Sequence, residues 1–216
     1  MTIPVLSIVQ ARLGSTRLPR KMLLDLGGHP LIWWAWNAAR TAFGDEHTVV
    51  AMPASEENDG LAKAVEGFGG RVFRWPGDER DVLGRFHACA HTYRWHPDSV
   101  IVRVTPDDPL KQPVSMLRVA AGERLPVELG GEAFTLAMLD TAEAFTPKTV
   151  GWSGVAFHNQ AREHLTHNRY LCTGSPPPAP EGCWTVDTAD DLDRMRALFA
   201  NAYADVDIAS VAGAHA

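Results

Sequence analysis

A chain of 216 residues with a net charge of −6 is long enough for one compact domain with a real core, and short for two. Hydrophobic residues at 45% and charged residues at 21% exclude wholesale disorder. The acidic balance argues against a duplex nucleic-acid binder, which shows a basic field, but leaves room for one local cationic site.

The opening MTIPVLSIVQA lacks a basic start and its apolar run stops at Val9, too short for a signal peptide. Val5–Val9 instead reads as a strand buried on both faces, followed by a polar, cationic loop to about Lys21. Gly27-Gly28-His29-Pro30 is expected to open a helix reaching about Phe43, with Pro30 in its first turn. A strand follows at His47–Met52, then a helix at Asn58–Phe68 closed by Gly69-Gly70. Arg71–Trp75 is a third strand, Asp81–Arg94 a third helix and Ser99–Val104 a fourth strand. Strands alternating with helices of about ten residues predict an α/β fold with a mainly parallel sheet.

Beyond Pro109 the rhythm changes. Helices are expected at Val114–Ala121, within Glu132–Phe145 after a strand end, and at Asn159–Leu171. The proline-rich Ser175–Pro180 reads as an extended connection, Trp184–Val186 as a short strand and Asp190–Tyr203 as a closing helix, with a fraying tail beyond Asp205. The expected organisation is one domain over 1–216, with a nucleotide-binding half (1–110) and a half for acceptor and metal (111–216). No stretch approaches the roughly 18 apolar residues that span a bilayer. Cys89, Cys172 and Cys183 form no disulfide framework and no zinc-type spacing, so a reducing cytoplasm is the expected home.

The strongest chemical signal is ARLGSTRLPRK, Ala11 to Lys21. It places Arg12, Arg17, Arg20 and Lys21 in eleven positions with no acid before Asp25, inside an acidic chain. The loop follows the carboxyl end of the first strand, where open α/β sheets bind ligands. Gly14 permits close backbone approach, and Ser15 and Thr16 add hydroxyl donors, so the loop suits a triphosphate. Neither GxxxxGK[ST] nor GxGxxG is present.

This segment resembles the opening motif of the cytidylyltransferases that make CMP-activated acidic sugars. That superfamily includes the acylneuraminate and 3-deoxy-manno-octulosonate enzymes, and the match looks closest to spore-coat polysaccharide SpsF-like proteins. The resemblance continues through DVLGRF (Asp81–Phe86), VIVRVTPDDPL (Val100–Leu110), AREHLT (Ala161–Thr166) and WTVDTADDL (Trp184–Leu192), in the family's order. It implies a Rossmann-like nucleotidyltransferase (GT-A-like) fold and transfer of CMP from CTP to a small acidic acceptor with release of pyrophosphate. By the same resemblance, the segment opened by Ala11 binds nucleotide, and Arg12, Gly14, Ser15, Arg17 and Lys21 match positions around the CTP phosphates. Lys21, Arg12 and Arg17 would stabilise charge there during catalysis. Asp107 and Asp187 match magnesium-binding carboxylates, Asp81 and Arg85 fall in a segment lining the nucleotide, and Arg162, Glu163 and His164 in one near the acceptor or a dimer contact. The implied partners are a nucleoside triphosphate, an acidic acceptor and a second copy of the chain, with no nucleic acid and no membrane.

Asp107 and Asp187 are each expected at the carboxyl end of a strand, so both can face one cleft. Magnesium favours such carboxylates together with phosphate oxygens and water. The competing readings are a turn at Asp107-Asp108-Pro109 and a helix cap at Asp187-Thr188-Ala189-Asp190, where Thr188 can cap while Asp187 binds metal. Departures from the family pattern stand at Arg20 and Gly130, usually Gly and Asp, at Pro106 and Asp108, usually Gly and Cys, and at Gln112, usually Asp.

His87 and His91 are i, i+4 on a predicted helix, a spacing that could hold zinc, with His96 nearby. No third ligand is evident in the sequence, so they read as ordinary helix histidines. Trp33, Trp34 and Trp36 read as core or a dimer patch rather than a base-stacking platform. Rival functions are a GT-A-type glycosyltransferase using a nucleotide sugar, which pyrophosphate release would distinguish, and a non-catalytic nucleotide-binding homologue.

Overall fold

A computed structural model of the chain describes residues 4–93, 96, 98–145 and 185–202, the last two and residue 145 without side chains. Its centre is a five-stranded sheet built from β1 (Val5–Gln10), β4 (Thr48–Pro53), β5 (Arg71–Trp75), β6 (Val100–Val104) and β7 (Glu132–Thr135). The spatial order is β5-β4-β1-β6-β7, parallel throughout except for the antiparallel edge β7. Two very short strands, β2 (Asp25–Leu26) and β3 (His29–Pro30), form a separate hairpin.

The central strands β1, β4 and β6 are mostly apolar on both faces because helices cover both. Val9, Val50, Met52, Val102 and Val104 point into a core shared with α1 (Leu31–Phe43), α2 (Asp59–Gly67), α4 (Pro113–Ala120) and α7 (Ala189–Ala202). Leu6, Ile8, Val49, Ala51 and Ile101 point the other way, against α3 (Val82–Thr92) and α6 (Leu136–Phe145). Period-2 alternation thus divides one continuous apolar run between two cores. Each fully buried Leu or Ile contributes on the order of 1.5–3 kcal/mol.

From β1 the chain builds outward through β4 and β5, then crosses back by α3 to place β6 on the other side of β1. This reversal opens a crevice at the carboxyl ends of β1 and β6, the place where ligands bind in such sheets. The expected α/β architecture with a mainly parallel sheet is the one observed.

Two local expectations are corrected. Gly27 and Gly28, both with positive φ (60° and 83°), make the two-residue turn of the β2–β3 hairpin rather than opening a helix. Paired left-handed residues match the twist of a hairpin. Pro30 is extended (ψ 145°) and precedes the helix, which begins at Leu31. A Cβ on Gly27 would also stand 2.9 Å from the Phe199 ring, so the turn seats α7. Secondly, Thr185 and Val186 form no strand with any described residue; among the described residues Val186 makes one backbone–backbone bond, its N–H donating to the Asp107 carbonyl at 2.8 Å. A short helix, α5 (Val127–Gly130), was not anticipated. The segments expected at Asn159–Leu171 and Ser175–Pro180, Trp184, and the tail beyond Asp205 lie outside the described residues. No described helix is long and apolar enough to cross a membrane.

The tryptophans serve packing. Trp36 is buried against Phe68, Trp34 meets Phe199 edge-on and donates to the Leu26 carbonyl, and Trp33 stacks on His29.

Candidate active site

The loop after β1 is anchored at alternate points. Ala11 and Leu13 are buried; the Ala11 N–H is spent on the Ala51 carbonyl and the Leu13 N–H on the side chain of Asn58. Asn58 is itself fully buried and held by Ser55, so it acts as a fixed peg under the loop. The Ser15 hydroxyl oxygen accepts from the Leu18 N–H, closing a turn. The N–H groups of Gly14, Thr16 and Arg17 make no hydrogen bond with any described residue, which leaves a set of backbone donors for an anion.

Arg20 adopts a left-handed conformation (φ 57°) immediately before a 3-10 turn, Lys21–Leu23. This is the position where the family pattern has glycine, and the backbone shows why: the chain must reverse there to send Lys21 inward. Lys21 is buried at the backbone edge of the crevice. Its Nζ donates to Asp107 Oδ2 at 3.2 Å, to Asp187 Oδ1 at 2.9 Å and to the Val186 carbonyl at 3.0 Å. Arg17, mostly exposed, reaches the other oxygen of Asp187 at 2.8 Å. Four residues that the sequence singled out, Arg17, Lys21, Asp107 and Asp187, are thereby brought into one contact set. Arg12 stands apart from it and pairs with Glu79 at 3.0 Å, while Glu79 also covers Gly14.

The convergence of Asp107 and Asp187 has a visible cause. In the turn after β6, adjacent carboxylates point opposite ways: Asp107 into the crevice, Asp108 into the protein. Asp108 is buried, and its carboxylate accepts from Thr105 Oγ1, from Lys111 Nζ at 3.2 Å and from Thr185 Oγ1 at 2.7 Å. Lys111, with a fully buried side chain, donates onward to the Val127 carbonyl at 2.7 Å. Burial alone would raise the Asp108 pKa, but the Lys111 charge and the three donated hydrogen bonds outweigh it and hold the carboxyl below its ordinary value of 3.8. Through Thr185 and Val186 this turn grips the segment that carries Asp187. Just beyond, Thr188 Oγ1 accepts from the Asp191 N–H, and Asp191 Oδ2 accepts from the N–H groups of Asp187 and Thr188. That reciprocal capping starts α7 and leaves the Asp187 carboxylate free of any capping duty.

Asp81 caps α3, its carboxylate accepting from the Gly84 N–H at 2.7 Å. Arg85, one turn on, is fully buried; it donates to the Glu79 carbonyl at 3.3 Å, and its Nε has no partner among the described residues. Burial first, and then repulsion from Arg12, lowers its pKa to about 10. Neither residue joins the Lys21 cluster directly. Arg162, Glu163 and His164 lie outside the described residues.

Sequence reasoning overlooked Asn58, Lys111, Thr185 and a buried ion pair between Arg103 and Glu132, in which Arg103 also donates to Gln10 at the end of β1. Asn58 read only as a helix start. Arg103 and Thr185 sit inside recognised segments, and that was the available signal.

Two carboxylates sharing one ammonium show that the donor set converges on a single positive centre. All-oxygen donors facing an open crevice suit a hard divalent ion, so Asp107 and Asp187 fit magnesium. A cationic loop with free N–H donors opposite paired acids is an arrangement able to grip a polyphosphate.

The family model described as cytidylyltransferase matches residues 6–123, more than half of the chain. A 3-deoxy-manno-octulosonate cytidylyltransferase of Sodalis glossinidius (strain morsitans) is 29% identical over 184 residues, covering 76% of this chain and 69% of the relative. The enzyme of the same name from Hahella chejuensis (strain KCTC 2396) is 32% identical over 143 residues, covering 66% of this chain and 54% of the relative. In fold, the chain is similar to a cytidylyltransferase from Leptospira borgpetersenii serovar Hardjo-bovis (strain JB197), with TM-score 0.75, 21% identity and coverage of 93% and 88%. It is also similar to a CMP:2-keto-3-deoxy-manno-octonic acid synthetase complexed with CTP, with TM-score 0.69, 19% identity and coverage of 92% and 99%. With its motifs, its sheet order and its family match in accord, the chain belongs to the cytidylyltransferase family.

Proposed function

We propose that this chain is a magnesium-dependent cytidylyltransferase that transfers CMP from CTP to a small acidic sugar, releasing pyrophosphate. The observation that carries the reading is the convergence of Lys21, Arg17, Asp107 and Asp187 at the sheet's topological switch point. The names of the curated relatives support both CTP and an acidic sugar as substrates.

An acceptor oxygen attacks the α-phosphorus of CTP in line, and the bond from that phosphorus to the bridging oxygen of pyrophosphate breaks. The acceptor's proton leaves to solvent or to the departing phosphate. Little covalent work falls to the protein; positioning and charge stabilisation carry the reaction. The free N–H groups of Gly14, Thr16 and Arg17 cradle phosphate oxygens, and the Ser15 hydroxyl stands beside them. Arg12 exchanges Glu79 for phosphate, and Arg17 exchanges Asp187. Lys21 then offsets charge on the leaving group. Asp107 and Asp187 would hold the magnesium ion, which supplies charge neutralisation on the phosphates and orients the attacking oxygen. Ala11 shapes the loop, and Asp81 and Arg85 set the start of α3 beside Arg12 on the nucleotide side. Residues 1–110 serve the nucleotide and 111–216 the acceptor and the metal. The departures at Gln112 and Gly130 fall in the acceptor half, so the acceptor is assigned by class alone. The reading also includes a cytoplasmic location and a homodimer.

A pyrophosphate-release screen tests the proposal: each of four nucleoside triphosphates, with magnesium, against sugar acids, sugar phosphates and phosphonates. Release is expected with CTP and a sugar acid, with the CMP-sugar found by mass spectrometry. Release with a different triphosphate, or with none, overturns it.

A further inference from the structure

On the sheet face opposite α1, the packing of α3 against α6 assembles a cluster the nucleotide chemistry does not use. His87 and His91, one turn apart on α3, project from the same side of the helix, with ring centroids 4.4 Å apart. Asp140 reaches across from α6. Its Oδ1 lies 3.2 Å from His87 Nε2 and 2.6 Å from His91 Nε2. One ligand atom from each of the three side chains falls within 4.8 Å of the others. The sequence spacing offered no third ligand for the two histidines; it comes from 49 residues away and only through the packing of α6 on α3.

We propose that His87, His91 and Asp140 form a binding site for a borderline divalent transition ion of the zinc class, clamping α3 to α6. Zinc bonds to imidazole nitrogen and carboxylate oxygen are about 2.0–2.2 Å long, so small ring and carboxylate rotations bring these three atoms onto one ion. Two imidazoles and one carboxylate suit zinc, cobalt or nickel, whereas magnesium prefers oxygen alone. The site is therefore chemically distinct from the Asp107–Asp187 pair. His91 is exposed while His87 and Asp140 are half-buried, which gives an ion access from solvent and leaves a coordination position for water. Cys89 lies between the histidines on another face, buried, with its thiol pKa raised by that burial, and is not a ligand. An ion bound here holds together two helices of the same core, so binding favours the folded state.

The test uses the untagged full chain, stripped with chelator and kept in excess magnesium so that the carboxylate pair is occupied. Cobalt(II) is titrated by its visible d–d bands and then displaced with zinc. The expected result is one equivalent with a nitrogen-ligated spectrum, a zinc-dependent rise in thermal midpoint, and a loss of affinity of about tenfold to a hundredfold or more in His91→Gln and in Asp140→Asn, judged by losses when even supporting groups of metal sites are removed. The double variant Asp107→Asn/Asp187→Asn should keep that equivalent. Absence of binding, or binding unchanged in both His91→Gln and Asp140→Asn, overturns the proposal and leaves the trio as hydrogen bonds alone between helices. His87→Gln provides an independent check should either variant misfold.

Discussion

At the scale of single residues, Lys21 joins the two halves of the proposed site, because one ammonium touches both acids. Lys21→Ala and Asp107→Ala should each lower kcat by about a hundredfold or more, by analogy with loss of single charge-stabilising groups. Circular dichroism should show both still folded; near-normal kcat in the two would contradict their placement. Arg20 makes a different prediction. A non-glycine residue in the left-handed region costs about 1–2 kcal/mol, part of which a glycine returns through unfolded-chain entropy. Arg20→Gly should therefore stabilise by about 0.5–1 kcal/mol, read as a rise of a few degrees in Tm, with turnover little changed. Gly130 shows the opposite case: a Cβ there would stand 2.6 Å from Val119 Cγ2, so this chain has no room for the aspartate of the family pattern without moving α4 or α5.

At the scale of elements, the turn after β6 works as a clamp. Asp108 and Lys111 are buried together, and Asp108 also holds Thr185, which leads into Asp187. Removing one partner leaves an uncompensated buried charge, so Asp108→Asn should cost about 3–5 kcal/mol in a urea unfolding series. It should also impair turnover by loosening Asp187. The pH dependence has a definite sign. The Asp108 pKa is depressed in the folded state, so its stabilisation is present above the ordinary carboxylate value of 3.8 and is lost as pH falls through the lower folded value. Acid unfolding of Asp108→Asn should lack that component. An unchanged acid profile would assign the stability to other groups. The identity of most elements was legible from periodicity: β1, β4, β5, β6, α2 and α3 lie where the sequence puts them, within a residue or two, and α1 ends where expected at Phe43. The β2–β3 hairpin was not, because a Gly-Gly pair serves as a helix entry or a hairpin turn, and only contact with Phe199 and Trp34 decides between them. Helix α5, at four residues, carries too little periodicity to register.

At the scale of the whole molecule, the topology makes the site. The reversal of strand order at β1 sets the cationic loop of one end of the chain against acids from β6 and from the approach to α7. Ligand binding to the folded state alone should raise stability by about 2.7 kcal/mol at a hundredfold excess over Kd. CTP with magnesium should accordingly raise Tm by roughly 5–10 °C at this chain length, and EDTA should abolish both the shift and turnover, restored by added magnesium. A full shift retained in Lys21→Ala would remove Lys21 from the nucleotide site. The sequence by itself determined the chemistry on offer: a basic loop after a buried strand, two separated acidic motifs and an α/β alternation, all written in local spacing. Which groups meet was decided by tertiary structure. Asp187 faces Lys21 because Thr185 and Val186 are bonded to the Asp108 turn, and Asp140 reaches the two histidines because α6 lies along α3. Contacts between residues far apart in the chain depend on how faces pack, and spacing along a single element carries no record of its neighbour.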